Sequence, residues 1–327
     1  MGYPFHKITH IQSSSAFNAA ALEIFRLQAN NCEPYKRFLS LLGINALDIQ
    51  NVEEIPFLPI EFFKTQRVYC SDNEPQALFT SSKTTGTTPS THYVANLELY
   101  RQSILDGFGL FFGNPQKYAI LGLLPGYMER KESSLVYMVN YLQELSGHEL
   151  NGNFLDDFAS LKKTIDQLES QKQPTLLFGV SYALLDFGNR FPTTLHHTSL
   201  IETGGMKGKR KELTRHELHD ELKTFFGDQT IASEYGMTEL LSQAWYDGKA
   251  FKAPPWMKVV VRGKNDPLDI TNQGSGGLNV IDLANVFSCS FIATGDAGTV
   301  YADGSFNVHG RLDHQDARGC NLLYEES

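Results

Sequence analysis

The chain has 327 residues, of which 41% are hydrophobic and 12% aromatic, and its formal net charge is −9. This length allows one large domain or two ordinary ones with a buried core. The acidic balance disfavours nucleic acid and anionic membranes as partners, although a nucleotide needs only a local site. No apolar run reaches the ~18 residues of a membrane-spanning helix, so we expect no membrane span.

Cysteine usage and the amino terminus indicate the cellular compartment. The four cysteines are scattered and form neither a C-x-x-C pair nor a zinc-binding spacing, which is typical of a reduced, cytosolic protein. The first residues lack the basic start and apolar run of a secretory signal peptide. We therefore expect a cytoplasmic protein. The cysteines are Cys32, Cys70, Cys289 and Cys320.

Helix and strand patterns alternate along the first 250 residues. Residues 14–43 have the apolar spacing of helices, whereas residues 56–63 contain two prolines and are expected to be extended. Such alternation favours an α/β fold with a mostly parallel sheet covered by helices. Further along, we predict helices over 96–112, 133–145, 155–170 and 182–187, and strands at 78–79, 117–124 and 175–180.

After residue 250 the pattern changes to short β-rich segments separated by Gly and Asp. This pattern of short segments predicts a small antiparallel barrel or sheet attached to the α/β core. We expect three parts, namely an α/β core at 1–250, a β-rich subdomain at 251–310, and a hinge remnant with a tail at 311–327. The predicted strands of the subdomain are 257–262, 277–283, 287–293, 298–302 and 305–309.

Residues 80–91 form an unusual run in which only Lys83, Gly86 and Pro89 are not Ser or Thr. Short hydroxyl side chains compete for backbone hydrogen bonds and favour turns over helices and strands. A row of small donors around a glycine suits a phosphate-binding loop. The alternative interpretation from composition alone is a solvated linker.

Four further motifs follow in order. A Gly-Gly pair at 204–205 comes after an apolar segment and suits close approach to a flat ligand. Residues 235–239 (Tyr-Gly-Met-Thr-Glu) place an aromatic ring, a hydroxyl and a carboxylate in one turn, which can stack on a base, bind phosphate and hold Mg²⁺. We predict that residues 293–298 form a loop whose Asp296 accepts ribose hydroxyls, or is a plain turn residue. Residues 310–313 read Gly-Arg-Leu-Asp.

Together, these motifs resemble the adenylate-forming superfamily of acyl-CoA synthetases, peptide-synthetase adenylation domains and luciferases. That family shows T-S-G-T-T-G-x-P-K, G-G-x, Y-G-x-T-E, T-G-D and G-R-x-D in this order, and the resemblance spans about residues 78–320. It implies the large N-terminal α/β domain of that family, with mostly parallel sheets flanked by helices.

The resemblance also implies a reaction and roles for residues. A carboxylate would attack the α-phosphate of ATP, releasing pyrophosphate and forming an acyl adenylate. The Ser/Thr loop would hold pyrophosphate, Tyr235 the adenine, Thr238 the α-phosphate, and Glu239 the Mg²⁺ ion, while Asp296 and Arg311 would hold the ribose. The residues expected to bind ATP are Thr80, Ser81, Ser82, Lys83, Thr84, Thr85, Gly86, Thr87, Gly204, Gly205, Glu234, Tyr235, Gly236, Met237, Asp296 and Arg311, and the expected catalytic residues are Thr238, Glu239 and Cys320.

Three departures from the family pattern bear on activity. Lys83 stands where the family usually has Gly, and Ser90 stands where it usually has Lys. A displaced Lys83 can still supply charge to a phosphate. The sequence stops at Ser327, so the small C-terminal domain of the family is expected to be absent.

A shorter branch, the acyl-protein synthetases of the bacterial bioluminescence fatty-acid reductase (LuxE type), is similar to this outline. It implies that a fatty acid passes from AMP to a cysteine, here Cys320, and then to a partner reductase. Arg318 lies nearby in sequence and favours the thiolate. Alternatives are an acyl- or aryl-CoA ligase without its small domain, which would use CoA or a carrier protein, and a non-catalytic adenylate-binding module.

Overall fold

The computed structural model describes residues 8, 11–81, 88–125, 132–204, 213–229, 231–263 and 266–312. Side-chain caps define several helix starts, because Ser13 and Asn96 each accept a backbone N–H of the first turn. These residues form eight α-helices: α1 (Ser14–Asn31), α2 (Glu33–Leu41), α3 (Phe62–Thr65), α4 (Leu97–Phe112), α5 (Ser134–Ser146), α6 (Phe158–Ser170), α7 (Ser181–Arg190) and α8 (Arg215–Phe226).

The strands divide between a small hairpin and one extended sheet. The strands are β1 (Leu58–Pro59), β2 (Ala77–Thr80), β3 (Thr91–Val94), β4 (Ala119–Leu123), β5 (Gly152–Asn153), β6 (Thr175–Val180), β7 (Thr198–Thr203), β8 (Ala232–Tyr235), β9 (Ala244–Tyr246), β10 (Phe251–Lys252), β11 (Met257–Arg262), β12 (Ile270–Thr271), β13 (Gly274–Asp282), β14 (Phe291–Val300) and β15 (Phe306–Arg311). Strands β2 and β3 pair only with each other, and the large sheet has the order β12-β11-β13-β14-β15-β10-β9-β8-β7-β6-β4-β5, with β1 added beside β14.

One half of the large sheet is parallel and the other antiparallel. Strands β5, β4, β6, β7 and β8 run parallel. Every residue of β4 and β6 is buried, which explains their continuous apolar sequences. From β8 onward to β12 the neighbouring strands are antiparallel. Strand β8 therefore lies at the change from parallel to antiparallel pairing.

Most predicted elements are confirmed, and the exceptions are the segments 287–302 and 56–63. The segments 287–293 and 298–302, predicted as separate strands, are replaced by the single ten-residue strand β14. Its Gly, Thr and Asp residues look like a turn, but hydrogen bonds from β13 and β15 hold them extended. The segment 56–63 is extended only in part, because α3 begins at Phe62. The division at residue 250 stays a prediction.

The N-terminal helix α1 is anchored to the segment that follows β13. The buried side chain of Gln28 donates to the backbone oxygens of Asn285 and Val286 at 2.9 and 3.0 Å, and accepts from the amide of Ser290. A buried amide with all these partners fixes local geometry. This contact holds the chain around Asn285, which supports the site described next.

Candidate functional site

The motif residues of β7 and β8 lie at one edge of the sheet. The two strands are parallel, with Glu202 opposite Ser233, so their carboxyl ends meet. Ligands of open α/β sheets bind at this edge. Gly204 follows β7 with φ of +76°, a conformation that favours glycine. The structure thus brings Gly204 next to the motif that begins in β8.

Three of the predicted residues, from three separate motifs, form one cluster. The hydroxyl of Tyr235 donates to Oδ2 of Asp296 at 2.9 Å, and Nε of Arg311 lies 3.6 Å from Oδ1 of the same carboxylate. The Asp296 side chain is 13% exposed, whereas that of Arg311 is 88% exposed. The Tyr235 ring packs against Phe306 and Phe251, with centroids 5.2 and 5.6 Å away. This cluster joins aromatic surface, a carboxylate and an exposed guanidinium.

The expectation that Asp296 lies in a loop is wrong. Asp296 is in the middle of β14 and pairs directly with Arg311 of β15. Its backbone amide donates to the hydroxyl of Thr294 at 3.1 Å. Because both residues stand on paired strands, the sheet fixes the backbone positions from which their side chains project.

Glu239 is a buried carboxylate beside this cluster. Glu239 is 4% exposed. Burial raises the pKa of its carboxyl group, whereas hydrogen bonding with Ser90 and the positive charges of Arg311 and Lys64 act to lower that pKa. Arg311 therefore acts on both Asp296 and Glu239. A carboxylate is a ligand for a hard cation such as a phosphate-bound metal ion, while the nearby Arg311 and Lys64 supply positive charge to anionic groups.

The backbone of Thr238 and Glu239 is held by two side chains that the sequence analysis missed. Nδ1 of His92 lies 2.8 Å from the Thr238 carbonyl oxygen, and Nε2 lies 2.9 Å from Oδ1 of Asn285. The amide nitrogen of Asn285 donates to the carbonyl oxygen of Glu239 at 2.7 Å and to that of Cys289 at 3.0 Å. Burial lowers the pKa of His92 to about 4, so its ring is neutral near pH 7.

The ends of the Ser/Thr run are tied together and placed against the same motif. In the β2–β3 hairpin, Thr80 pairs with Thr91, and Ser81 exchanges hydrogen bonds with Ser90 at 3.0 and 2.9 Å. The hydroxyl of Thr80 also donates to Glu132 at 3.0 Å. Because Ser90 contacts Glu239, this end of the run reaches the carboxylate of the Tyr-Gly-Met-Thr-Glu motif.

Eight predicted residues lie outside the described part of the chain. Nothing structural can be assigned to them, and their roles remain predictions. These residues are Ser82, Lys83, Thr84, Thr85, Gly86, Thr87, Gly205 and Cys320.

Two carboxyl groups, those of the buried Glu202 and the half-buried Glu234, stand on the neighbouring strands β7 and β8, and only Glu234 was predicted as a site residue. Glu234 of β8 accepts from the hydroxyl of Thr203 at 2.6 Å, and burial, with a further contribution from Glu202, raises its pKa to about 7. Arg215 and His219 face Glu202, with nitrogens 4.0 and 3.9 Å from Oε1. In the sequence, this pair is indicated only by an acidic residue near the end of each of the strands β7 and β8.

Gly236 leaves room for this arrangement. A Cβ atom at position 236 would overlap Oε1 of Glu234, and it would lie 3.4 Å from the side chain of Gln243. Met237 continues the turn and its carbonyl oxygen accepts the amide of Leu240 at 3.1 Å. The small residue therefore lets Glu234 fold over the start of the turn.

The donor set fits the Mg²⁺ ion that the sequence motifs imply. Among the described residues there is no group of three or more His, Cys, Asp or Glu side chains arranged to hold a metal ion. Mg²⁺ in nucleotide enzymes commonly uses one or two carboxylates and takes its remaining ligands from phosphates and water. A single buried carboxylate at Glu239 meets that requirement.

Comparison with known proteins supports the fold. No protein-family model and no curated protein matches the sequence. Among solved structures, 2-hydroxyisobutyryl-CoA ligase in complex with 2-HIB-AMP and CoA matches with TM-score 0.69 and 10% identity, over 92% of this chain and 70% of the other. ATP-bound MatB from Rhodopseudomonas palustris matches with TM-score 0.50 and 20% identity, over 72% and 48%.

A third match is the amide bond synthetase McbA from Marinactinospora thermotolerans, with TM-score 0.50 and 17% identity, over 72% of this chain and 48% of the other. This chain thus spans about half the length of two of these proteins and 70% of the first. This chain therefore shares the mixed α/β fold, with a large sheet flanked by helices, of these solved structures, and this is the fold class that the sequence predicted. In the described ranges, no helix is long and apolar enough to cross a bilayer.

Proposed function

We propose that the protein activates a carboxylic acid with ATP, releasing pyrophosphate and forming an acyl adenylate. The observation that carries this proposal is the convergence of Tyr235, Asp296 and Arg311 beside the buried carboxylate of Glu239. The first three residues offer a ring, an acceptor for ribose hydroxyls and a cation. Glu239 offers a carboxylate ligand for a hard cation such as Mg²⁺.

In the proposed reaction, a carboxylate oxygen attacks the α-phosphorus and the bond from that phosphorus to the bridging oxygen breaks. The protein contributes positioning and charge neutralisation. Asp296 and Arg311 orient the ribose, Thr238 contacts the α-phosphate, and residues 80–87 receive the departing pyrophosphate. Glu239 would hold Mg²⁺, which when bound neutralises phosphate charge.

We further propose that the acid is a fatty acid and that the acyl group passes to the thiol of Cys320. The thiolate would attack the acyl carbon, and the bond between that carbon and the AMP oxygen would break. The sequence around Cys320 supports this step, and an acyl-accepting reductase or carrier protein would be the partner. Since 2-hydroxyisobutyryl-CoA ligase is seen with CoA, CoA is the alternative acceptor.

Acid-dependent exchange of labelled pyrophosphate into ATP tests the adenylation step. We expect exchange with at least one member of a panel of fatty, hydroxy and aromatic acids in the presence of Mg²⁺. Absence of exchange with every acid would reject both ligase interpretations and leave an adenylate-binding module.

The acceptor is tested separately with labelled acid and ATP. We expect a hydroxylamine-labile label on the wild-type protein that is absent from the Cys320→Ser variant. Full labelling of that variant would exclude Cys320 as the acceptor. Release of acyl-CoA when CoA is added would support CoA instead.

A further inference from the structure

The end of the Ser/Thr run and the beginning of β3 meet the Tyr-Gly-Met-Thr-Glu motif at two places. Ser90 acts to lower the pKa of the Glu239 carboxyl group, and two residues later His92 contacts the carbonyl oxygen of Thr238 at 2.8 Å. His92 is fully buried, and its ring meets Phe63 edge-to-face at 5.9 Å. Strand β3 and the Tyr-Gly-Met-Thr-Glu motif are therefore joined by a direct polar contact.

Asn285 completes this unit from a third part of the chain. Its side chain spans the gap between His92 and Glu239, and its own position is fixed by Gln28, which donates to the Asn285 carbonyl oxygen at 2.9 Å. His92 thus contacts the carbonyl oxygen of Thr238, and Asn285 binds the carbonyl oxygen of the next residue, Glu239. Two anchored carbonyls leave the backbone between them little freedom to rotate.

A neutral His92 ring has a single N–H to donate. Both ring nitrogens face oxygens that can only accept, the Thr238 carbonyl oxygen and Oδ1 of Asn285, so the neutral ring donates to one of the two. The amide nitrogen of Asn285 is used by the carbonyl oxygens of Glu239 and Cys289. In one tautomer His92 holds the Thr238 carbonyl oxygen directly, and in the other it holds Asn285, whose amide nitrogen binds the Glu239 carbonyl oxygen. In either tautomer His92 restrains the Thr238–Glu239 backbone, directly or through Asn285.

We propose that His92 and Asn285 are positioning residues for adenylation, holding the Thr238–Glu239 backbone so that their phosphate- and metal-binding groups stay beside the Ser/Thr segment. This inference rests on the function proposed above. Neither side chain touches ATP in this account. They act through the two residues that do, and a misplacement of about 1 Å in such a site can reduce the rate by about a hundredfold.

Binding measurements separate positioning from a general structural role. Thr238 and Glu239 serve the phosphates and the metal, whereas Tyr235 and Asp296 serve the adenosine part. In His92→Phe and Asn285→Ala, we expect the Kd for Mg·ATP to rise about tenfold, which corresponds to the loss of one good hydrogen bond. The Kd for adenosine should stay within about a factor of two, because its ligands are on β8 and β14.

A conservative variant and a double variant test the positioning role further. His92→Gln keeps an N–H donor and should recover part of the Mg·ATP affinity and of the exchange kcat. The double variant His92→Phe/Asn285→Ala should lose little more than the worse single variant, because both act on one backbone segment. The exposed residues His196 and Asn30 supply matched controls, and His196→Gln and Asn30→Ala should bind both ligands like the wild type.

The possible outcomes are distinct. Equal weakening of Mg·ATP and adenosine, unchanged binding of both, or failure of all three single variants to fold would overturn the positioning role. A wild-type protein that binds ATP but exchanges with no acid rejects adenylation, and the binding comparison then still decides the role of His92 and Asn285. A wild-type protein that binds no ATP rejects both.

Discussion

The hydroxyl of Tyr235 donates a 2.9 Å hydrogen bond to the carboxylate of Asp296, although the two residues are 61 positions apart. One residue ends a strand of the parallel half of the sheet, and the other lies in the middle of an antiparallel strand. The bond therefore joins the two halves of the sheet at the candidate nucleotide site. Asp296 retains a second oxygen, Oδ1, which lies 3.6 Å from Nε of the exposed Arg311.

Asp296→Ala should raise the KM for ATP by about ten- to a hundredfold, because hydrogen bonds to a charged group contribute about 1.5–3 kcal/mol. Tyr235→Phe keeps the ring and should have a smaller effect. Steady-state exchange kinetics measure both. Asp303→Asn, on the exposed turn between β14 and β15, is the control and should leave the KM unchanged. An Asp296→Ala enzyme with wild-type KM would exclude a ribose contact.

Glu239→Gln should reduce acid-dependent exchange by about a hundredfold or more, because the charge that holds the metal is lost. The melting temperature should stay the same or rise, since the buried carboxylate is costly to ionise and its pKa is already raised. Exchange assays across a Mg²⁺ titration, together with thermal melts, provide the measurement. The exposed residue Glu33, changed to Gln, is the control. Retained exchange with unchanged Mg²⁺ dependence would remove Glu239 from the site.

Glu234→Gln should stabilise the protein in a pH-dependent way. The folded-state pKa of Glu234, about 7, lies above its ordinary value of 4.5, so between these values the unfolded state ionises more readily and stability falls as the pH rises. The stabilisation by Gln should be small near pH 4.5, grow as the pH rises toward 7, and reach about 3 kcal/mol at pH 8. Urea unfolding at several pH values measures it. A pH-independent difference would contradict the raised pKa.

Gly236→Ala should destabilise the protein by about 1–3 kcal/mol, because the added Cβ overlaps the Glu234 carboxylate. In a Glu234→Ala background the same substitution should cost much less, which a double-mutant cycle detects. Gly109 of α4 has open space around its Cβ position, so Gly109→Ala should be neutral or stabilising. Additive effects of the two substitutions at 234 and 236 would show that the contact is absent.

Sequence patterns predicted the parallel core because its strands are buried on both faces and read as continuous apolar runs, as in β4 and β6. Strand β14 was divided incorrectly, since its Gly-rich sequence has the composition of a turn and only pairing with β13 and β15 makes it a strand. Tertiary pairing of this kind overrides local preference.

The motif residues could be predicted because they are grouped in short, ordered segments. His92 and Asn285 could not, because they are separated by 193 positions and belong to no motif, and their common role depends on three-dimensional contact. The same holds for the effect of Glu202 on Glu234, which arises only when β7 and β8 are adjacent.

Transfer of an isotope from the acid to AMP tests the central claim most directly. A carboxylic acid labelled with ¹⁸O in both oxygens is incubated with ATP, Mg²⁺ and hydroxylamine as acyl acceptor, and the AMP is analysed by mass spectrometry. Attack of the carboxylate on the α-phosphorus followed by cleavage of the acyl–oxygen bond predicts one ¹⁸O atom in each AMP formed. AMP without label, or label in inorganic phosphate with ADP as the product, would contradict adenylation of the acid.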